Sequence, residues 1–242
     1  MVVAVDDIVD ARAIYHAILQ HEPRAKLAPR TRWGTGPGAA RNDAFAASSG
    51  RYIVMLDADD SLREDYLLRF AKFFREHPHA TTALAPTRIV REDNHELRPL
   101  FVPNLGPEGT VSFREYECLI ISTHVVCRRA AHIPWPESGY AEDVVRDALL
   151  VRQAESVAVL DTEYRALIHP GQYMQSGRSS EEEIRASYVR TAILYPELAM
   201  LFMRRAAANA YFAAHRRPNE EWYTFWSERH GEVPGLELVE AS

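Results

Sequence analysis

Lysine is nearly missing from this chain: Lys26 and Lys72 are the only two in 242 residues, and arginine supplies the rest of the 28 basic side chains. Acidic residues outnumber them at 34, for a formal net charge of -6. Surfaces that neutralise a phosphate backbone need clustered excess cations, so this balance argues against a nucleic-acid partner. Cysteine is also scarce. Cys118 and Cys127 sit in apolar stretches, which excludes a disulfide scaffold and leads us to expect buried free thiols. No apolar run approaches the roughly 20 residues that span a bilayer, and the N-terminus lacks a basic region followed by an apolar one. The expected compartment is therefore the cytoplasm. What remains, 47% hydrophobic and 26% charged residues, is the composition of an ordinary globular chain able to bury a substantial core.

Apolar runs and helical periodicities alternate along the chain. Val2 to Val5 reads as a buried strand, followed at once by Asp6 and Asp7, and Ile14, Tyr15, Ile18 and Leu19 then recur at helical spacing until Pro23. Gly34, Gly36, Pro37 and Gly38 form a turn, after which Ala39 to Ser48 is helical in propensity and Gly50 stops it. Tyr52 to Leu56 is a second buried-strand candidate that runs into Asp57-Ala58-Asp59-Asp60, and Tyr66, Leu67, Phe70, Phe73 and Phe74 follow as an amphipathic helix. Thr82 to Val90 has room for one or two strands, and Leu119 to Cys127 is apolar around Ser122 and Thr123. A helix over Ala141 to Gln153 and a strand over Val157 to Leu160 come next, before the polar loop around His169. This alternation predicts an α/β fold with a mostly parallel sheet flanked by helices. Ser180 and Glu183 match a capping box, so a helical C-terminal extension begins there, and we place the domain boundary near residue 175, with domains over 1–175 and 176–242.

Ligands of open parallel sheets bind beyond the carboxyl ends of the strands, where Asp57, Asp59 and Asp60 would stand. Carboxylates this close repel one another, and a hard cation such as Mg²⁺ or Mn²⁺ relieves that repulsion while leaving sites for phosphate oxygens. The competing reading is a solvated acidic turn whose Asp60 or Ser61 caps the following helix.

The run GPGAARNDAFAASSGRYIVMLDADDSL closely resembles the stretch of family 2 glycosyltransferases that reads N-x-G-x-x-x-A-R-N, a small-residue helix, glycine, strand and L-D-x-D-D. Gly36, Ala40, Arg41, Asn42, Gly50, Leu56, Asp57, Asp59 and Asp60 fall where that pattern expects them. Val5-Asp6-Asp7 resembles the family's V-D-D, Glu142-Asp143 its E-D motif, and Tyr164-Arg165 with His169 its Y-R-x-H segment. The resemblance implies a GT-A fold and a metal-dependent, inverting transfer of sugar from a nucleotide-diphosphate donor, UDP being the commonest, to an acceptor hydroxyl. It also implies the roles. Asp143, beside Glu142, is the base; Asp57 and Asp59, with His169, hold Mn²⁺ or Mg²⁺; Asp6, Asp7, Arg41, Asn42, Asp57 and Asp60 hold the nucleotide sugar.

Three departures bear on this expectation. The family's leading strand and P-x-Y-N loop have no counterpart before Val2, which predicts either an upstream segment or a homodimer through that edge. The G-S-T-D that follows V-D-D is replaced by Ile8-Val9-Asp10-Ala11, and N-x-G by Gly34-Thr35-Gly36. A degenerate member that binds partners without transferring sugar is the alternative function. A haloacid-dehalogenase-like phosphatase, which Asp57-Ala58-Asp59 also resembles, needs a later lysine, and the only one is Lys72 inside the next helix. Trp222, Tyr223, Phe225 and Trp226 are expected to pack on the catalytic domain, a peripheral membrane contact being the alternative that Glu220, Glu221 and Glu228 oppose.

Overall fold

The structure, a computed structural model, describes residues 1–5, 11–29, 35–91, 109–119, 122–137, 141–168 and 180–217 together with Trp222, Phe225 and Trp226. The chain opens with β1 (Val2–Val3), α1 (Ala11–His21) and β2 (Lys26–Leu27), and β1 and β2 pair in parallel. There follow α2 (Pro37–Ala47), β3 (Tyr52–Ile53), β4 (Ser61–Leu62) and α3 (Tyr66–Glu76), then β5 (Thr82–Leu84), β6 (Thr87–Arg91), β7 (Thr110–Ser112) and α4 (Phe113–Tyr116). The second half carries β8 (Val126–Arg128), α5 (Glu142–Ala154), β9 (Ser156–Val159), β10 (Tyr164–Ile168), α6 (Glu181–Leu194) and α7 (Ala199–His215).

The α/β class is as expected, but the sheets are mixed rather than mostly parallel. In the larger sheet the order is β3-β8-β5-β9-β7, where β5 and β9 run parallel while β8 runs antiparallel to both of its neighbours. A short strand inserted between two others needs no crossover helix when it runs antiparallel, which is how β8 enters. A smaller sheet, β4-β10-β6, holds β10 between a parallel and an antiparallel partner. Thr82 to Val90 thus contributes two strands, one to each sheet. The YIVML run forms a ladder only over Tyr52–Ile53; Met55 stays buried, but Leu56 is already exposed at the edge of the acidic loop.

Ser61 and Leu62 form a strand against Arg165 and Tyr164, so the turn after Asp57 does not cap a helix from Asp60 or Ser61. The helix starts later, with Asp65 at its N-cap. Tyr66, Phe70 and Phe74, spaced four apart, face the core, whereas Leu67 is exposed.

Beyond the capping box, in which the Glu183 N–H donates to Ser180 Oγ and the Ser180 N–H to Glu183 Oε2, α6 and α7 form a hairpin. Its Tyr188, Leu201, Phe202 and Phe212 join Leu150, Val151, Tyr116 and Leu84 in one hydrophobic core. Phe225 and Trp226 are fully buried in that core, which answers the choice posed by the aromatic group in favour of packing for these two. The expected boundary near residue 175 lies outside the described residues. Cys127 is buried as expected, whereas Cys118 is only half-buried, and both thiols are free. No described helix is long and apolar enough to cross a membrane.

Candidate active site

The site is assembled by the way α2 seats. Gly36, at φ 93°, supplies the left-handed turn that starts the helix. Two residues on, a Cβ at Gly38 would lie 2.0 Å from the Pro136 carbonyl oxygen, so only glycine lets the helix lie against that backbone. Asn42, one turn later, fastens the same segment: its Nδ2 donates to the Trp135 carbonyl at 2.9 Å and its Oδ1 accepts the Trp135 N–H at 3.0 Å. Asn42, expected at the nucleotide, therefore turns its carboxamide to the scaffold.

This seating brings Arg41 against both halves of the expected machinery. One guanidinium nitrogen donates to Asp57 Oδ1 at 2.9 Å and another to Glu142 Oε1. Burial works against the charge on Arg41, yet Asp57, Glu142 and Asp143 outweigh it and hold the guanidinium more firmly protonated than usual. The contact is well shielded: the side chains of Arg41 and Glu142 are 16% and 12% exposed.

Glu142 and Asp143 open α5 from Ala141, a residue in the left-handed region. Burial and the neighbouring Asp143 push the Glu142 carboxyl above the ordinary range, against the pull of Arg41. Burial also acts to raise Asp143. There, however, the charge of Arg41, a hydrogen bond from the Ser122 side chain, the charge of His124 and the Val144 N–H prevail and hold it below the ordinary range. Of the two, Asp143 is the carboxylate held the more readily ionised.

The loop after β3 is held from the opposite side by β10. The Asp57 N–H donates to the Tyr164 hydroxyl at 3.1 Å, and that hydroxyl donates to Asp60 Oδ2 at 2.7 Å. The Leu167 N–H reaches Asp60 Oδ1 at 2.9 Å. Burial raises the Asp60 carboxyl, and these two bonds only partly oppose it. Asp59, one residue earlier, is exposed. Asp57 and Asp59 thus present hard oxygen donors, the chemistry that suits Mg²⁺ or Mn²⁺. Among the described residues no group of three or more His, Cys, Asp or Glu is gathered as a metal site, so a cation held here would draw further ligands from phosphate or water.

Asp6, Asp7 and His169 lie outside the described residues. Of the others, Arg41, Asp57 and Glu142 converge directly, Asp143 adjoins them, and Asp60 is tied to them through Tyr164. Tyr164 was visible in the Y-R-x-H segment only as a neighbour of its histidine. Gly38 could have been singled out as a glycine two residues inside a helix, and Ser122 and His124 as polar breaks in an apolar run.

Comparison with known proteins bears on the family and the fold. The profile described as glycosyl transferase family 2 matches residues 2–132, more than half of the chain. The succinoglycan biosynthesis protein ExoO of Rhizobium meliloti (strain 1021) is 44% identical over 127 residues, 51% of this chain and 36% of that protein. The poly(ribitol-phosphate) beta-glucosyltransferase of Bacillus spizizenii (strain ATCC 23059 / NRRL B-14472 / W23) is 45% identical over 42 residues, 17% of this chain and 7% of that protein. The chain therefore spans about a third or less of the length of these curated relatives. Among solved structures, S. aureus TarS 1-349 in complex with UDP-GlcNAc superposes with a TM-score of 0.59 at 18% identity, over 90% of this chain and 64% of that one. With the fold, the acidic loop and the Glu142-Asp143 helix in place, the chain belongs to glycosyl transferase family 2 and has the GT-A fold.

Proposed function

We propose that this chain is a glycosyltransferase that takes its sugar from a nucleotide-diphosphate donor, with UDP as the first nucleotide to test, and passes it to an acceptor hydroxyl with inversion. The observation that carries the reading is the Arg41 bridge, which sets the Asp57 loop and the Glu142-Asp143 helix start against one guanidinium. A leaving diphosphate and an attacking hydroxyl must be held on opposite sides of one sugar carbon, and two carboxylate groups joined by one arginine suit that arrangement. The TarS structures in complex with UDP-GlcNAc and with UDP support a nucleotide sugar as the donor class.

Asp143, kept ionised, removes the proton from the acceptor hydroxyl as that oxygen attacks the anomeric carbon. Glu142 keeps Arg41 in place, and Asp60 with Asp7 holds the nucleoside. Asp57 and Asp59, aided by His169, would hold a divalent cation, which when bound supplies positive charge to the departing diphosphate. With only two lysines in the chain, arginine carries the cationic contacts to the donor.

Calorimetric titration of UDP and other nucleotide diphosphates, with and without Mn²⁺, tests the donor assignment. Transfer and donor hydrolysis are then measured with the sugars of whichever nucleotide binds. Metal-dependent binding together with turnover is the expected result. Binding without any turnover would favour a non-transferring, degenerate member, and no binding of any nucleotide would remove the donor assignment.

A further inference from the structure

Residues 122–125 belong to none of the motifs above, yet each of them is held by a different contact, two to the site and two to the core beneath it. The Ser122 side chain hydrogen-bonds Asp143. Thr123 Oγ1 lies 2.8 Å from the Tyr116 hydroxyl. The Val125 N–H donates to Asp147 Oδ2 at 2.8 Å, and the Val125 carbonyl accepts from Arg146 Nη1 at 2.7 Å. Between them, His124 lays its ring flat on Tyr164, with centroids 3.7 Å apart and planes inclined by 18°.

His124 is 6% exposed and sits at φ 50°, in the left-handed region that a residue with a Cβ seldom adopts. Such a conformation persists only where the surroundings over-determine it, and the pinned Val125 supplies that constraint. Its Nδ1 is buried without a hydrogen-bond partner. A phenylalanine would avoid that cost while presenting the same flat face to Tyr164.

Tyr164 is anchored in β10 by its backbone, and its fully buried side chain belongs to the cluster of Tyr66, Phe70, Phe74 and Val126. The ring plane is set by what lies against it. The Tyr164 hydroxyl accepts from the Asp57 N–H and donates to the Asp60 carboxylate, so a tilt of the ring would loosen both at once.

We propose that His124 is a positioning residue: by clamping the Tyr164 ring it fixes the hydroxyl that joins Asp57 to Asp60, and so couples the donor loop to the segment that supports Asp143. The coupling to donor binding rests on the reading of the acidic loop given above. Four variants test it: His124→Ala, His124→Phe, Tyr164→Phe and the double variant His124→Ala with Tyr164→Phe. Two readouts are taken, the affinity for UDP with Mn²⁺ and the hydrogen-exchange rate of the Asp57 amide. Because an aromatic stack contributes modestly beyond its buried area, His124→Ala should weaken UDP binding about three- to tenfold and speed Asp57 exchange by a similar factor. His124→Phe, which keeps the stack, should restore both. In the Tyr164→Phe background, His124→Ala should add nothing, since the hydroxyl through which it acts is gone. A merely structural role would lower thermal stability without this pattern. Unchanged binding and exchange in His124→Ala would overturn the proposal, as would failure of His124→Phe to restore them or full additivity in the double variant. If the wild-type chain does not bind UDP, the donor reading is what fails, and Asp57 exchange still decides the role of His124.

Discussion

The guanidinium of Arg41, on α2, is paired with the carboxylate of Glu142 at the start of α5, a contact between positions 101 apart in the sequence. Removing the cation would leave Glu142, Asp57 and Asp143 facing one another in a largely shielded pocket. Arg41→Met should therefore destabilise the fold by about 3 kcal/mol, the usual scale for breaking a buried pair from one side. Adding Glu142→Gln should return part of that loss, because the stranded charge goes with it. Urea midpoints with unchanged slopes would measure both.

Asp143→Asn keeps the shape of the base and removes its basicity. The rate of transfer should fall by about 10² to 10⁴, with nucleotide affinity nearly unchanged. Single-turnover kinetics beside calorimetry separate the two quantities. Near wild-type transfer in this variant, with loss in Glu142→Gln, would move the base to the glutamate.

The pH profile distinguishes the same two carboxylates. A base must be ionised, so kcat/KM falls as pH drops through its folded pKa. Asp143 is held below its ordinary 3.8 and Glu142 is pushed above its ordinary 4.5. With Asp143 as base, the acid limb lies below pH 3.8; a limb above pH 4.5 would point to Glu142. Folding stability has the same sign for Asp143: the stabilisation that its lowered pKa reflects is present above pH 3.8 and lost on further acidification.

Asp59→Ala should abolish metal-dependent binding of a nucleotide diphosphate and leave the fold intact. The side chain is exposed, so the substitution removes charge and little packing. Calorimetry with and without Mn²⁺ checks it. Equal affinity in variant and wild type would take Asp59 out of the site.

Gly38→Ala should be poorly tolerated although alanine is the better helix former. Its Cβ would meet a backbone oxygen, which cannot swing away as a side chain could, at a cost of about 1–3 kcal/mol. Gly50→Ala is the control, since its nearest neighbour is 3.4 Å away. Equal melting temperatures for the two variants would contradict the seating of α2 described above.

What could be read in advance followed from local rules. Ser180 and Glu183 announce α6 because a capping box is written within four residues. Glu142 and Asp143 mark the start of α5 because carboxylates favour the positive end of a helix. The acidic loop was legible as a ligand-facing feature because three aspartates follow an apolar run. The antiparallel entry of β8 was not, because strand direction depends on partners far along the chain. Asn42 shows the same limit: a polar residue in a familiar motif carries no sign of whether it faces ligand or backbone. His124 carries no signal of its own in the sequence: a single histidine inside an apolar stretch usually packs, and its stacking partner lies forty residues on.

The hairpin that completes the main core also sets an order of events. Leu150, Val151 and Tyr116 are synthesised well before Leu201, Phe202, Phe212 and Trp226, the side chains that cover them. On a ribosome, the whole sequence of acidic loop, base helix and sheet emerges with that apolar face still bare. The nascent chain must therefore keep it from association until α6 and α7 arrive, which makes this face a natural place for a chaperone to hold.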